Sequence, residues 1–384
     1  MSLSNTMILP GQTIGIIGGG QLGRMMAIAA KAQGFKIAVL DPTEDSPCGQ
    51  VADYKIVDAY DSLPAIKKLA EISNVITYEF ENIDAECLNW LTNNANVPQG
   101  SSLLEITQDR IKEKRAIEQA GIKVAPYVTV EKASDIHNGL AKLGYPAVLK
   151  TARGGYDGKG QYVIKESSQI TEAEILLEHG VCVLEKWIPF NKEISVIITR
   201  SGKGESTVFP VSENIHINNI LHESIVPARI SDYAKDLAID KAKALAEYLN
   251  LVGTLAVEMF LTSDEEIFIN ELAPRPHNSG HYTIEACETS QFEQHVRAIC
   301  NWPLASTRLL RPVVMVNILG QHQQLLIDKI PDLQDWKIHL YGKQEPKENR
   351  KMGHVTLLRS SVEIAIDEIE NSNIWNLQTE KIGG

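Results

Sequence analysis

Residues 254–282 read TLAVEMFLTSDEEIFINELAPRPHNSGHY. Two apolar runs, TLAVEMFL and IFINEL, flank the polar turn TSDEE, the pattern of two antiparallel strands joined as a hairpin. Each run carries one glutamate, Glu258 and Glu271, in apolar surroundings. A turn centred between Asp264 and Glu265 sets the two directly opposite one another. Opposed Cβ atoms lie about 4.5–5.5 Å apart, and like charges at about 5 Å repel by about 3 kcal/mol at an effective dielectric of about 20. A bridging cation relieves that repulsion. Oxygen ligands suit magnesium, which keeps phosphate and water in its other positions. Asn270 adds a neutral oxygen next to Glu271. The alternative is one glutamate facing solvent or pairing with a lysine, since a one-residue change in the turn breaks the register. After the hairpin, Arg275, His277, Asn278 and His281 cluster in a loop. An arginine behind a metal carboxylate suits a developing phosphate anion; either histidine also reads as a loop residue bonded to backbone.

Upstream, residues 146–161 read PAVLKTARGGYDGKGQ, a strand containing Lys150 followed by a loop with Gly154, Gly155, Gly158, Lys159 and Gly160. Flexible backbone of this kind can fold over polyphosphate and offer N–H donors while lysines neutralise charge. It is not a Walker A loop, and a mobile surface loop is the plainer reading. The surrounding stretch opens with a charged helix, DRIKEKRAIEQAG, and holds the strands VCVLEKWI and KEISVIITR and a helix from about Asp232 to Leu249.

Residues 13 to about 100 alternate strand-like and helix-like segments, which implies parallel strands with crossover helices. Gly18-Gly19-Gly20-Gln21-Leu22-Gly23 matches G-x-G-x-x-G between a strand and a helix, and Asp41 ends the next strand. Two readings stand: a dinucleotide-binding fingerprint, or a Rossmann-like layer whose tight turn needs glycines for geometry alone. Beyond residue 304 the chain reads as short strands, VVMVNIL, KIHLYG and GHVTLLR, with a helix beginning near Val362.

The 384 residues allow two or three domains, and 43% hydrophobic with 22% charged residues is the mix of a soluble globular protein. No apolar run is long enough to cross a bilayer and no signal peptide is visible, so no membrane partner is expected. A net charge of −12 argues against nucleic acid as a partner. Five scattered cysteines without a C-x-x-C pair argue against zinc and a disulfide framework, which suits the cytoplasm.

Taken together, IGIIGGGQLGRM, YEFENI, KTARGGYDGKGQ, EKWI, NELAPRPHNSGHY and YGK…RKMGHV resemble the ATP-grasp ligases and, within them, the 5-(carboxyamino)imidazole ribonucleotide synthase family of purine biosynthesis. The resemblance spans almost the whole chain. It implies an α/β and α+β fold: a Rossmann-like N-terminal domain (residues 1–107), a split ATP-grasp domain (108–303) and a small β-rich C-terminal domain (304–384). ATP and Mg2+ are the implied cofactors. Arg110 and Lys150 would meet phosphates under a lid of Gly155, Tyr156, Asp157, Gly158, Lys159, Gly160 and Gln161. Glu185, Lys186, Trp187 and Ile188 would line the adenine edge, with Glu193 on the ribose and His216 facing the nucleotide. Glu258 and Glu271 would hold the metal, with Asn270 beside them. The substrate side would use Gln21, Leu22, Glu79, Tyr156, Asp157, Arg275, His277 and Asn278, with Lys343, Arg350 and Lys351 at the ribonucleotide phosphate. One stretch departs: Lys347-Glu348-Asn349 stands where the family usually has a proline-glycine turn.

The resemblance further implies that bicarbonate attacks the γ-phosphate of ATP to give carboxyphosphate, and that the amine of aminoimidazole ribonucleotide captures the carboxyl carbon. Arg275, Tyr156 and Asp157 would serve the reacting groups, and a homodimer is usual for the family. Other ATP-grasp carboxylate–amine ligases, a nicotinamide-dependent oxidoreductase built on the first glycine motif, and a non-catalytic nucleotide-binding regulator remain as competing readings.

Overall fold

Three sheets carry the chain, and each follows from the patterning of its strands. In the computed structural model, which describes residues 6–155 and 158–375, the first sheet holds β1 (Thr13–Ile17), β2 (Lys36–Leu40), β3 (Tyr54–Ile56) and β4 (Val75–Tyr78). All are parallel, in the order β3-β2-β1-β4. Every residue of β1 and β4 is buried, as parallel strands covered on both faces must be. The Gln21–Ala32 helix packs Met25 and Met26 on one face, and the Leu63–Ile72 helix packs Ile66 and Leu69 on the other. Strand order reverses between β1 and β4, and such a reversal opens a crevice at the carboxyl ends of the strands.

The second sheet is antiparallel: β5 (Tyr127–Val130), β6 (Ala147–Thr151), β7 (Gln161–Ile164) and β8 (Cys182–Lys186), ordered β5-β8-β6-β7. The Ala133–Leu143 helix covers it through Ile136 and Leu140. Sequence reading had not singled this helix out, because only a narrow stripe of it is apolar.

The third sheet has nine strands: β9 (Phe190–Arg200), β10 (Ser206–Val208), β11 (Ser212–Ile217), β12 (Ile220–Val226), β13 (Gly253–Thr262), β14 (Ile267–Ala273), β15 (Val313–Leu319), β16 (Lys337–Leu340) and β17 (Lys351–Leu358). The main path runs β14-β13-β9-β11-β12-β15-β17-β16. The C-terminal strands therefore do not form a sheet of their own; β15 pairs with β12 and satisfies backbone groups that an edge would leave open. The Val362–Asn371 helix begins where expected. The Gly320–Lys329 helix, in a stretch read only as strand, buries just Gly320, His322 and Leu326, too few apolar positions to show a period.

Across β9 and β13 lies the Asp232–Tyr248 helix, capped by Ser231 Oγ accepting from the Ala234 N–H. It buries Ala234, Ala238, Ala242, Leu245 and Ala246. Alanines four apart share one helical face, and their small size lets the helix axis approach the sheet closely. All five cysteines are free and buried, and no helix among the described residues is long and apolar enough to cross a membrane. Ala238→Leu should overpack this contact and cost about 1–3 kcal/mol in urea unfolding.

Candidate active site

Glu258 and Glu271 are paired across β13 and β14 as expected, but through two offsetting one-residue shifts. The turn centres on Asp264, so that Leu261 faces Ile267, with Glu265 in the left-handed region at φ 60°. A β-bulge at Asn270 then restores the opposition. In a bulge two residues of one strand face one of the other. Asn270 and Glu271 thus both turn toward Glu258, and all three line a cavity of about 570 Å³ enclosed by the three sheets.

Each carboxylate leans on a cationic or donor group from another element. Glu258 Oε1 lies 3.0 Å from His277 Nε2, and Glu271 Oε2 accepts from Arg110 at 3.3 Å. Burial alone would raise the Glu258 carboxyl, but the His277 hydrogen bond, with His216 and Lys351 nearby, outweighs it and holds it below the usual carboxylate range. Two carboxylates and an amide oxygen form a hard donor set that fits Mg2+. Among the described residues no cluster of three or more His, Cys, Asp or Glu could hold an ion alone, so a cation here would need further ligands from phosphate and water.

One end of the cavity rests on a buried charge cluster. Glu185 is 3% exposed, and its two oxygens lie 3.1 Å from Lys114 Nζ and from Lys150 Nζ. Burial opposes ionisation of Glu185, yet the two lysines hold it down to about 2. Burial pushes Lys150 the other way, downward, with Glu185 opposing. Lys150 also donates to Asn270 Oδ1 at 3.4 Å. Lys114 and Glu113 were missed in the sequence. The signal was present: Arg110, Glu113, Lys114 and Ile117 share one face of the Arg110–Gln119 helix by their spacing, so charges occupy core-facing positions. Glu113 Oε1 accepts from the Leu272 N–H at 2.6 Å, next to the bulge. Burial and the Glu271 charge push Glu113 up to about 8.

At the opposite end Phe190 and Phe260 stack at 4.6 Å between ring centroids. With Ile188, Val148 and Val163 they line an apolar slot, suited to a flat base. Lys186 and Trp187 border it, and their N–H groups are already bonded to Pro126 O and Pro146 O. Glu193 lies 3.2 Å from His216 Nδ1, and both face the cavity with Gly158, Lys159, Gly160 and Gln161 of the glycine loop. Gly155 is not part of the wall, and Tyr156 and Asp157 lie outside the described residues.

The first glycine motif has a different occupant from the one its fingerprint suggests. Both oxygens of Glu79 reach into the turn, accepting from the N–H groups of Gly20 and, at 2.6 Å, Gly23. These donors at a helix N-terminus are the ones a pyrophosphate would use. Gly18 has φ 105°, and a Cβ there would sit 2.3 Å from Glu79 Cγ; a Cβ on Gly20 would meet Glu79 Oε1 at 2.5 Å. Asp41, the expected ribose acid, is bonded internally to the Gly19 N–H at 2.7 Å and the Tyr60 hydroxyl at 2.5 Å. The dinucleotide reading is thereby corrected: the glycines make room for a side chain of the same protein. Gln21, Leu22 and Glu79 still line the shared cavity.

Arg275, His277 and Asn278 also line it. Arg275 Nε lies 2.8 Å from Glu81 Oε1, a partner not foreseen. Both side-chain atoms of buried Asn278 lack partners within the protein. His281 is fully buried against Phe292, Tyr341 and His354, away from the cavity. Of Lys343, Arg350 and Lys351, Lys351 lines the cavity and the other two do not. Lys343 donates to Lys351 O at 2.7 Å and Arg350 to Glu345 O at 3.0 Å. Their loop meets the N-terminal domain through Gln50 with Gly342 O and Gln344 with Asp45. Asn349 takes φ 61°, supplying the left-handed turn that glycine provides elsewhere.

Known proteins agree with this layout. A ribonucleotide synthetase preATP-grasp domain matches residues 11–108, an ATP-grasp domain residues 115–292, and a phosphoribosylaminoimidazole carboxylase C-terminal domain residues 313–368. Fold and site together define an ATP-grasp protein. The N5-carboxyaminoimidazole ribonucleotide synthase of Bacillus subtilis (strain 168) is 57% identical over 369 residues, 96% of this chain and 97% of that protein. The ADP complex of an N5-carboxyaminoimidazole ribonucleotide synthetase superposes with a TM-score of 0.95 at 60% identity, covering 98% of this chain and 99% of that one. The Aspergillus clavatus synthase in complex with ADP and 5-aminoimidazole ribonucleotide gives 0.89 at 29% identity, covering 94% and 97%. The chain belongs to the N5-carboxyaminoimidazole ribonucleotide synthase family.

Two outcomes follow from the charge cluster. Glu185→Ala strands two buried lysines and should cost about 3–5 kcal/mol in urea unfolding, whereas Lys114→Met leaves Glu185 paired with Lys150 and should cost less. Because Glu113 is raised above its ordinary value of 4.5 to about 8, its contribution to stability is complete below 4.5 and lost as pH rises through about 8. In metal-free thermal unfolding the wild type should therefore lose ground to Glu113→Gln across that interval; a constant difference would contradict the raised value.

Proposed function

We propose that the chain catalyses ATP-dependent carboxylation of 5-aminoimidazole ribonucleotide by bicarbonate, giving N5-carboxyaminoimidazole ribonucleotide, ADP and phosphate, as a carbon–nitrogen bond-forming ligase of purine biosynthesis. The observation that carries it is one cavity joining an apolar base slot, a buried lysine pair and opposed carboxylates to the glycine turn of the first sheet. A nucleoside triphosphate and a second anionic substrate fit that sequence of surfaces.

In this reading the base lies against the stacked Phe190–Phe260 pair, with Lys186, Trp187, Ile188 and the backbone of Glu185 along its edge. Glu193 takes the ribose hydroxyls and His216 faces the nucleotide. Arg110 and Lys150 neutralise phosphate oxygens, and the glycine loop from Gly155 through Tyr156, Asp157 and Lys159 to Gln161 closes over them. Glu258 and Glu271 hold Mg2+ with Asn270 beside them. When bound, that ion neutralises phosphate charge and lets an anionic nucleophile approach. Bicarbonate oxygen attacks the γ-phosphorus, the bond to the β–γ bridging oxygen breaks, ADP leaves, and carboxyphosphate forms. Arg275, released from Glu81, holds the transferring group, and Asn278 offers its unpartnered amide to the same anion. Closure by the loop bearing Tyr156 and Asp157 excludes water from the reactive anhydride.

The amine of the ribonucleotide then attacks the carboxyl carbon, the C–O bond to phosphate breaks, and inorganic phosphate leaves as the nitrogen loses a proton. Gln21, Leu22 and Glu79 position the ribonucleotide, and Lys343, Arg350 and Lys351 bind its phosphate where the C-terminal loop meets the first domain. His277 acts here through Glu258. We place the domain boundaries at residues 107/108 and 303/304, the protein in the cytoplasm, and its assembly as a homodimer.

ADP release measured with ATP and Mg2+ should require both bicarbonate and 5-aminoimidazole ribonucleotide for full rate. Glu271→Gln should abolish it with the fold intact by circular dichroism. Equal rates with formate in place of bicarbonate, or wild-type turnover by the variant, would refute the assignment.

A further inference from the structure

The turn after the hairpin covers a row of polar side chains on the third sheet. Register aligns Glu271, Glu258, Ser195 and Ser212 across β14, β13, β9 and β11, so they share one face. Ser195, Ser212, Asn214, Ser224 and Ser279 are all buried, where hydrogen bonds must close within the protein. They form one connected chain, with Ser212 Oγ branching from it 2.7 Å from Ser195 Oγ. Ser224 Oγ donates to Asn214 Oδ1 at 3.0 Å, Asn214 Nδ2 to Ser195 Oγ at 3.0 Å, and Ser195 Oγ to Ser279 Oγ at 2.7 Å. Ser279 Oγ in turn lies 2.9 Å from His277 Nδ1.

The direction of the last link follows from the backbone. The Ser279 N–H also points at Nδ1, at 3.3 Å, and an N–H can only donate. Nδ1 is therefore a lone-pair acceptor, and the Ser279 hydroxyl, already accepting from Ser195, gives its proton to the same nitrogen. With Nδ1 bare, the ring proton sits on Nε2, 3.0 Å from Glu258 Oε1. The main chain of His277 is clamped as well: its N–H donates to Gln291 Oε1 at 2.9 Å, and its C=O accepts from Gln291 Nε2 at 2.7 Å.

We infer that Ser195 and Ser279 are positioning residues that lock His277 in the Nε2–H tautomer and so aim the Glu258 carboxylate, leaving its second oxygen for the divalent cation. Neither serine lines the cavity. Every donor in the chain points toward the carboxylate, so the bonds polarise one another. Both ring nitrogens of His277 are engaged, which removes it as a base toward substrate. The inference rests on Glu258 being a metal carboxylate, and the test separates the two ideas.

Long-range 15N–1H spectra of protein labelled in histidine, with His277 assigned through His277→Gln, should show a proton on Nε2 and none on Nδ1. A proton on Nδ1 overturns the inference without any serine variant having to fold. ADP is then titrated calorimetrically over a magnesium series that begins in EDTA. Wild-type ADP binding that ignores magnesium would overturn the metal reading itself, and the inference with it. Where wild type tightens with magnesium, Ser279→Ala and Ser195→Ala should raise the midpoint by about 10–100-fold. Affinity in EDTA should stay unchanged, and Ser279→Thr should restore the midpoint. Alanine variants with the wild-type midpoint and tautomer would sink the role of the serines while leaving the metal reading intact.

Discussion

Two carboxylates pressed toward each other across a hairpin set the terms for everything around them. Uncompensated, Glu258 and Glu271 repel by about 3 kcal/mol, so the fold has to surround them with positive charge and donors. It does so from separate elements. The Arg110–Gln119 helix brings Arg110 to Glu271, and the loop after β14 brings His277 to Glu258. Demand for charge neutralisation thus ties a helix, a hairpin and a loop into one wall, and the same demand gives that wall the chemistry that a cation and a polyphosphate would fit.

The helix is an unusual support. Its inward face carries Arg110, Glu113 and Lys114 rather than only apolar residues. Buried charges of this kind add little stability on their own, because desolvation consumes most of the attraction. Their use here is geometric. Glu185 spans Lys114 and Lys150, Lys150 reaches Asn270, and Glu113 holds the backbone just past the bulge. The lysine-lined end of the cavity is assembled on sheet and helix, which hold side chains more firmly than loops do.

The N-terminal domain repeats the theme with opposite charge. A helix N-terminus and glycine N–H groups make a ready anion site, and the protein fills it with its own Glu79. A motif whose local form matches a dinucleotide fingerprint becomes a wall of a shared cavity. What distinguishes the two uses is a residue 59 positions away in the chain, invisible to any reading of the motif alone.

Much was legible from local order along the chain. Alternating segments announced the parallel layer, and the strand lysine and glycine loop stood out as candidates that both line the cavity. The apolar runs around TSDEE announced a hairpin with opposed glutamates, although the true register came from an odd turn and a bulge that cancel. Side-chain spacing along one strand or helix carries that information because it depends only on neighbours. Folding decided the rest: that Lys114 joins Lys150 on Glu185, that Glu79 plugs the glycine turn, that β15 extends the central sheet, and that Ser195 sits beneath Glu258. Each of these joins distant residues through burial, and the sign and direction of a buried hydrogen bond depend on every group around it.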